Sequence, residues 1–231
     1  MNTSPENNQR HYREKAKAVL ARLEETYGQP AWHTPQPALD EIVSTILSQN
    51  THDRNRDAAF YNLKNRFPTW EAVRDAPLAE VVNSIYSAGL SNQKGARIQE
   101  ILREITRQRG SLNLDFLKAW PPDKVSAWLL SFKGIGPKTA AIVMVFSLGM
   151  PAFPVDTHIY RVSGRLGLRP ADASVEKTHE ILANWFDPAQ YGSGHLNLIR
   201  LGREICTARK PRCPECPLLD LCPYGQGGVQ T

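Results

Sequence analysis

The sequence contains little cysteine and no long hydrophobic run. Only four of its 231 residues are cysteines, and all four lie within residues 206–222. A membrane-spanning helix needs about 20 consecutive apolar residues, and no uninterrupted apolar stretch approaches that length. The segment MNTSPENNQRHYREK has no hydrophobic stretch after a basic start, so neither export nor anchoring is indicated. We therefore expect a soluble, cytoplasmic protein without membrane association.

The alternating pattern typical of β-strands is also scarce, and helical spacing of apolar residues dominates. The apolar sets at helical spacing are Val19, Leu20 and Leu23; Leu39, Ile42, Val43, Ile46 and Leu47; Val81, Val82 and Ile85; and Ile98, Ile101, Leu102 and Ile105. Helix starts are indicated at Thr69, Pro77, Pro122 with Asp123, and Ser174, and helix ends at Gly28, Gly89, Gly110 and Gly149. These signals predict an all-α fold of about ten short helices.

The cysteines follow the pattern Cys206-x6-Cys213-x2-Cys216-x5-Cys222. Most of this segment is a polar, proline-rich loop, which cannot order itself by burying apolar surface. Four thiolates around a [4Fe–4S] cluster would supply the loop with a core. Tetrahedral zinc also takes four thiolates, although zinc ribbons usually have two C-x2-C pairs and this segment has one. Two disulfides are the third interpretation, which the lack of an export signal disfavours.

The charge balance is modestly positive, with a net charge of +5 and a pI near 9.1. A basic surplus favours a polyanionic partner. Its distribution is informative, because basic residues crowd the approach to the cysteine loop and only Glu204 opposes them. These residues are Arg200, Arg203, Arg209, Lys210 and Arg212. The cysteine loop is predicted to present a basic face, and a solvated charge run is the alternative.

Residues 127–149, AWLLSFKGIGPKTAAIVMVFSLG, are predicted to form two helices joined by a tight turn. Gly134 and Gly136 permit backbone conformations and close approaches that larger residues do not, and Pro137 suits the first position of the second helix. Such a turn can present amide groups to a phosphate of a nucleic-acid backbone. A Gly-x-Gly turn also occurs at ordinary helical corners.

Two residues near this turn are candidates for chemistry. Lys138 falls in the first turn of the second helix, where the helix dipole and nearby amides disfavour its charged form and favour a nucleophilic neutral amine. Asp156, in PAFPVDTHIYRV, is predicted to be an N-cap. A cap with no further role is the alternative for Asp156, although a cap can also direct a carboxylate into a cleft.

Five features together resemble endonuclease III, of the helix-hairpin-helix base-excision DNA glycosylase superfamily. The resemblance covers nearly the whole length, with the features in the family's order. They are ILSQNTHDRN, SAGLSNQKGARIQEIL, FKGIGPKTA, VDTHIYRVSGRLG and the cysteine spacing. The resemblance implies two helical lobes flanking a DNA-binding cleft, a [4Fe–4S] cluster held by the four cysteines, and a monomer that binds damaged or abasic double-stranded DNA. In a prokaryote such a protein would be associated with the nucleoid.

The resemblance also implies an activity. By motif position, Lys138 would attack the sugar anomeric carbon and Asp156 would assist. The implied enzyme excises oxidised pyrimidines and cleaves the strand 3′ to the abasic site by β-elimination through a lysine Schiff base. The adenine glycosylase branch has no lysine at this hairpin position, so Lys138 indicates a lyase as well as a glycosylase. The alternatives are an abasic-site lyase, a uracil or thymine mismatch glycosylase, and a non-catalytic iron–sulfur DNA-binding protein.

Further roles follow from the resemblance residue by residue. Asn50 and Leu90 would insert into the base stack, with loop polarity and core packing as their respective alternatives. Asp53 and His158 would line the base pocket, and a buried, hydrogen-bonded histidine is the alternative for His158. Gln49 would face either the orphan base or the protein interior. The predicted phosphate-binding residues are Lys133, Gly134, Gly136, Arg209, Lys210 and Arg212.

The implied lobes comprise residues 31–150 and residues 1–30 with 151–231, and the segment QPAWHTPQPALD is the expected crossing between them. Lys138 and Asp156 would then lie on either side of that cleft. Three positions depart from the family pattern: Lys133 replaces a usual proline, Ser91 replaces a common aromatic residue, and Gln49-Asn50 replaces alanine-glutamine. These departures concern damage preference and rate more than reaction type.

Overall fold

The computed structural model describes residues 5–30 and 35–227. Every regular element in these ranges is helical, which confirms the predicted all-α class. No helix in the described part of the chain is long and apolar enough to cross a membrane. The α-helices are α1 (Pro5–Tyr27), α2 (Ala38–Ser48), α3 (Asp53–Arg66), α4 (Trp70–Asp75), α5 (Leu78–Ser84), α6 (Ser91–Arg109), α7 (Pro122–Leu130), α8 (Pro137–Ile142), α9 (Thr157–Arg165), α10 (Val175–Trp185) and α11 (Tyr191–Glu204).

Short helical turns join several of these helices. A π-helical segment, Val143–Ser147, extends α8. The 3₁₀ turns are Tyr86–Ala88, Asp115–Ala119, Pro188–Gln190, Cys213–Glu215 and Leu219–Leu221. Helices α1 and α6 are longer than the short helices that the sequence predicts, with 23 and 19 residues. No proline falls inside either helix after its first residue, and Gly28 and Gly110 follow their last residues.

Predicted capping residues define the helix ends. The side chains of Thr69, Asp156 and Ser174 each accept a hydrogen bond from the backbone N–H three residues later, as N-caps do. The glycines predicted to end helices follow α1, the Tyr86–Ala88 turn, α6 and the π-helical segment. Their φ angles are 76° at Gly28, 66° at Gly89, 75° at Gly110 and 64° at Gly149, the left-handed region that glycine adopts without strain.

Contacts between Cα atoms divide the chain into two compact units. One consists of Met1–His33 with Pro151–Thr231, and the other of Thr34–Met150. The predicted domain boundaries stay a prediction. Their first boundary, at residue 31, and part of the expected crossing QPAWHTPQPALD lie outside the described residues.

The unit Thr34–Met150 is built around α2 and α6. Ile42, Ile46 and Leu47 of α2 and Ile98 and Leu102 of α6 are at most 1% exposed. Helices α3, α4, α5 and α8 pack around these two helices. The apolar stripes read from the sequence therefore form the core of this unit.

The other unit packs α1 against α10 and α11, and α11 against α9. Leu20 and Leu23 of α1, Phe153 and Leu198 are almost completely buried. Phe153 stacks on Phe186 with ring centroids 4.8 Å apart. This core supports the start of α9 and the helix that leads to the cysteine loop.

Candidate functional site

The turn between α7 and α8 adopts the predicted helix, turn, helix arrangement. Gly134 has a φ of 92°, which disfavours any residue with a side chain. A Cβ atom at this position would lie 2.4 Å from Cδ of Arg97. The Arg97 guanidinium also donates a hydrogen bond to the Lys133 carbonyl at 3.1 Å. The Arg97 side chain of α6 therefore packs against the turn, and glycine is the residue that fits at position 134.

Gly136 differs from Gly134. Its φ of −94° is accessible to any residue, and a Cβ atom here would meet no atom within 4 Å. Neither the backbone nor the packing of this chain requires glycine at position 136. Of the two predicted uses of Gly136, an unusual backbone conformation is absent, and close approach of a phosphate stays a prediction.

Lys138 is the second residue of α8, as predicted for the first turn of that helix. Its side chain is partly exposed. The helix begins with the Ala140 N–H donating to the Gly136 carbonyl at 3.0 Å. The position of Lys138 is therefore set by the hairpin turn itself.

Asp156 is the N-cap of α9, and its Oδ1 accepts a hydrogen bond from the Ile159 N–H at 2.8 Å. The predicted cap is confirmed. The side chain is partly exposed, so the capping bond holds a carboxylate at the start of α9 with access to solvent. Lys138 and Asp156 belong to different units, and the catalytic role of each stays a prediction.

Asn50 and Leu90 have an unusual backbone conformation. Within the described residues they are the non-glycine positions with positive φ, at 52° and 49°. Asn50 follows the end of α2, and Leu90 precedes α6. Leu90 is 52% exposed, so the core-packing alternative for this residue is wrong. Strained backbone of this kind concentrates at functional sites.

The three predicted base-pocket residues occupy different surroundings. Gln49 is the exposed C-cap residue of α2, which rules out the protein interior for its side chain. Asp53 is exposed at the start of α3, with Arg56 at 3.7 Å. His158 is partly buried, and its Nδ1 lies 3.1 Å from a guanidinium nitrogen of Arg161. The hydrogen-bonded alternative for His158 is thus present in the structure, and the pocket roles stay predictions.

The four cysteines line one small cavity. Burial raises the pKa of the Cys216 and Cys222 thiols. Among the described residues, no three His, Cys, Asp or Glu side chains are grouped closely enough to hold a single metal ion. The thiols are instead spread around the cavity, and the other residues that line it are Ile205, Pro211, Leu219, Tyr224 and Gly225.

Arg165 is a residue of this region that the sequence analysis missed. It is 9% exposed, at the end of α9. Its guanidinium donates to the Cys206 sulfur at 3.3 Å and to the carbonyls of Thr207 at 2.7 Å and Ala208 at 3.0 Å. The signal in the sequence is an arginine three residues after the apolar Val162, on the buried side of an amphipathic helix.

The basic residues beside the cysteines are not equivalent. Arg209 and Lys210 are exposed. Arg212 is also exposed, but its guanidinium pairs with Glu215 at 2.8 Å and donates to the Glu204 carbonyl at 2.7 Å. A phosphate at Arg212 would have to share or replace these partners, so Arg209 and Lys210 are the stronger candidates for phosphate binding.

Lys94 was also missed, although it lies in the motif SAGLSNQKGARIQEIL. It is 4% exposed and donates hydrogen bonds to backbone carbonyls of two other elements. The available signal was its position four residues before Ile98, in line with the apolar stripe of α6.

Two family models match the chain. The model for HhH-GPD superfamily base excision DNA repair proteins matches residues 43–188. The model for the iron–sulfur binding domain of endonuclease III matches residues 206–222. The first match contains Lys138 and Asp156, and the second begins and ends at the outermost cysteines.

Individual relatives agree with the family models. Endonuclease III of Thermotoga maritima is 31% identical over 222 residues, which cover 94% of this chain and 97% of the relative. Two relatives come from Arabidopsis thaliana. One carries the name DNA glycosylase and is 38% identical over 144 residues, and the other, the DNA glycosylase/AP lyase ROS1, is 34% identical over 170 residues. The chain spans about half the length of the first plant relative and 12% of the second.

Solved structures show the same fold. A non-covalent endonuclease III–DNA complex matches with a TM-score of 0.79 and 28% identity, covering 93% of this chain and 97% of that one. A trapped endonuclease III–DNA covalent intermediate matches equally well. The chain therefore belongs to the HhH-GPD superfamily of base excision DNA repair enzymes, as an endonuclease III-like member with that family's iron–sulfur binding domain at residues 206–222.

Proposed function

We propose that the protein is a bifunctional DNA glycosylase and AP lyase that excises oxidised pyrimidines from double-stranded DNA. The observation that carries the proposal is the position of Lys138, which is partly exposed in the first turn of the second hairpin helix, within the segment that matches the HhH-GPD family. The similarity to a trapped covalent endonuclease III–DNA intermediate supports a mechanism that passes through a covalent bond between protein and DNA.

Lys138 is the proposed nucleophile. Its neutral amine attacks C1′ of the deoxyribose, the bond to the damaged base breaks, and the base leaves with the bonding electron pair. Ring opening gives a Schiff base between Nζ and C1′, which acidifies the C2′–H bond. Removal of that proton expels the 3′ phosphate, and the strand is cut on the 3′ side.

Asp156 is the proposed partner in charge stabilisation and proton transfer. Cleavage of the glycosidic bond builds positive charge on the sugar, which a carboxylate stabilises. The same carboxylate can take a proton from the attacking amine or from C2′. The hydrogen bond from the Ile159 N–H fixes one of its oxygens while the side chain keeps solvent access.

The nucleotide must leave the base stack before its sugar can be attacked. Asn50 and Leu90 are proposed to fill the space that it leaves. Both stand at exposed, positive-φ positions where a side chain projects from a helix end. Amide and apolar side chains inserted into the stack are a recurrent means of holding a kinked duplex.

The cysteine loop is proposed to hold a [4Fe–4S] cluster. Four thiols spread around one cavity suit a cluster in which each iron binds a different cysteine. The Arg165 guanidinium, which donates to the Cys206 sulfur, would stabilise the thiolate form of that ligand. Iron and inorganic sulfide should be present in equal amounts, about four of each per chain.

Borohydride trapping on abasic duplex DNA tests the proposed nucleophile. Borohydride reduces the Schiff base to a stable amine, so the wild type should form a covalent adduct that denaturing electrophoresis resolves. Lys138→Ala should form none, because it has no amine at that position. Lys118→Ala, which removes an exposed lysine paired with Asp115, is the matched control and should trap as the wild type does.

Base-release assays separate the proposed substrate from its alternatives. Thymine glycol should be released faster than uracil or thymine from a mismatch. Release of mismatched bases only would contradict the preference for oxidised pyrimidines. Cleavage of abasic sites without release of any base would show a lyase that has no glycosylase activity. A wild type that forms no adduct while binding duplex DNA would contradict the catalytic proposal.

A further inference from the structure

Lys94 joins the two segments that lead to Asn50 and Leu90. Its side chain is 4% exposed, in the first turns of α6. Its Nζ donates to the Leu47 carbonyl at 2.9 Å and to the Ala88 carbonyl at 2.8 Å. One buried atom therefore links the end of α2 to the end of the Tyr86–Ala88 turn.

The two accepting carbonyls lie just before the two strained residues. Leu47 is three residues before Asn50, and Ala88 is two residues before Leu90. Carbonyls in the last turn of a helix have no partner within that helix. The lysine supplies hydrogen bonds to both ends from one point, so it fixes the position of one segment relative to the other.

We propose that Lys94 is a positioning residue that holds Asn50 and Leu90 together as one paired wedge for the DNA base stack. The inference rests on the proposed function, because it assigns a task to residues of the same site. Lys94 itself touches neither DNA nor the reacting atoms; it acts through the two backbone segments.

The choice of a lysine fits this task better than it fits core stability. A buried lysine is uncommon because its charged form is poorly solvated in the interior, and burial lowers the pKa of Lys94. Both of its described acceptors are carbonyls from separate segments. The long side chain carries several donors on one atom, so a single Nζ reaches both carbonyls.

Helix α6 also provides a matched control. Gln99 is 2% exposed, and its Nε2 donates to the Val73 and Ala76 carbonyls at 2.8 Å each. Gln99 therefore performs the same kind of backbone capping in the same helix, at the end of α4. Neither Asn50 nor Leu90 follows those carbonyls, so Gln99 reports the purely structural part of the effect.

The experiment compares Lys94→Met with Gln99→Met. The probe is a duplex with 2-aminopurine opposite a tetrahydrofuran abasic analogue, whose fluorescence rises when the base is unstacked and requires no chemistry. Both variants should have lower unfolding midpoints than the wild type, because both leave buried carbonyls without a donor. Only Lys94→Met should lose most of the fluorescence increase at saturating protein.

Catalysis gives a second readout. Base release from duplex DNA by Lys94→Met should fall by about ten- to hundredfold, the effect of a displacement of about 1 Å at a positioned group. Cleavage of an abasic site in single-stranded DNA, which needs no wedge, should stay within about twofold of the wild type, since Lys138 lies on another element. Should Lys94→Met not fold, Lys94→Leu, which also has no donor, replaces it with the same expected results.

Equal loss of fluorescence in Lys94→Met and Gln99→Met would show a general structural role and overturn the inference. A full fluorescence increase in Lys94→Met would overturn it too, as would a wild type that does not unstack the probe. Failure of the proposed function would show in a different assay. The wild type would then form no trapped adduct, whatever the fluorescence of the probe does.

Discussion

Leu90 keeps a backbone conformation that a leucine adopts only at a cost. The left-handed region costs a residue with a Cβ about 1–2 kcal/mol. Its side chain is half exposed, so burial offsets only part of that cost. The strain is therefore better understood as the consequence of projecting an apolar side chain at this point than as a contribution to folding.

Replacing Leu90 by glycine should separate stability from function. Leu90→Gly removes the strain and should raise the free energy of unfolding by about 1 kcal/mol, measured by urea denaturation. It should also lose the unstacking of DNA, because the wedge side chain is gone. Leu90→Ala keeps the strained backbone, so it should also fail to unstack DNA but should show no increase in the free energy of unfolding. A less stable Leu90→Gly would mean that the side chain contributes more to packing than its exposure indicates.

In the hairpin turn, glycine occurs at positions 134 and 136 for different physical reasons. Gly134 is required by its φ of 92° and by the side chain of Arg97, whereas Gly136 has an ordinary φ and open space around its Cα. Folding alone requires glycine only at position 134. Gly136 is available for an approaching phosphate backbone.

Alanine at each glycine distinguishes the two reasons. Gly134→Ala should lower the free energy of unfolding by about 1–3 kcal/mol, since it combines left-handed strain with a displaced Arg97. Gly136→Ala should change stability by less than about 0.5 kcal/mol and weaken binding to abasic duplex DNA, measured by fluorescence anisotropy. Unchanged DNA affinity in Gly136→Ala would contradict phosphate contact at this turn.

At the scale of the whole molecule, the partly buried His179 makes stability depend on pH. The Nδ1 of His179 lies 2.9 Å from the Phe153 carbonyl, and its Nε2 is buried without a hydrogen-bond partner in the described structure. Burial lowers the pKa of His179 below its ordinary value of 6.5, while the carbonyl and Glu176 oppose that shift. The folded protein therefore favours the neutral imidazole.

The sign of the pH effect follows from this difference. The unfolded chain binds a proton at His179 as pH falls through 6.5, before the folded chain does, so stability is lost from that pH down to the lowered folded pKa. Unfolding free energies measured by urea between about pH 8 and pH 5 should decline less steeply in His179→Gln than in the wild type. Parallel declines would show that His179 does not titrate as described.

The net charge of +5 favours binding to DNA phosphates, and exposed basic residues beside the cysteine loop are expected to make such contacts. Arg209 and Lys210 are exposed beside the cysteine loop, so replacing both with glutamine should lower DNA affinity and reduce the slope of log affinity against log salt by about two. Anisotropy titrations at several salt concentrations measure that slope. Replacing Arg10 and Lys118 with glutamine keeps the same net charge change at other surfaces, and an equal effect there would refute local phosphate contact.

The sequence by itself determined the fold class, the helix caps and the family. Period and capping act locally, so Thr69, Asp156 and Ser174 could be recognised without knowledge of their neighbours. The cysteine spacing and the lysine after the hairpin glycines were similarly readable, because a ligand set or a nucleophile is defined by residue type and order. These features needed no tertiary information.

Tertiary structure decided what these local signals do not contain. The structure shows the left-handed backbone at Asn50 and Leu90, the different surroundings of Gly134 and Gly136, and the buried positions of Lys94 and Arg165. A lysine that bonds two carbonyls 47 and 6 residues away looks in the sequence like any surface lysine. Which polar residue is buried is set by packing between helices, and a one-dimensional pattern records only the periodicity of each helix taken alone.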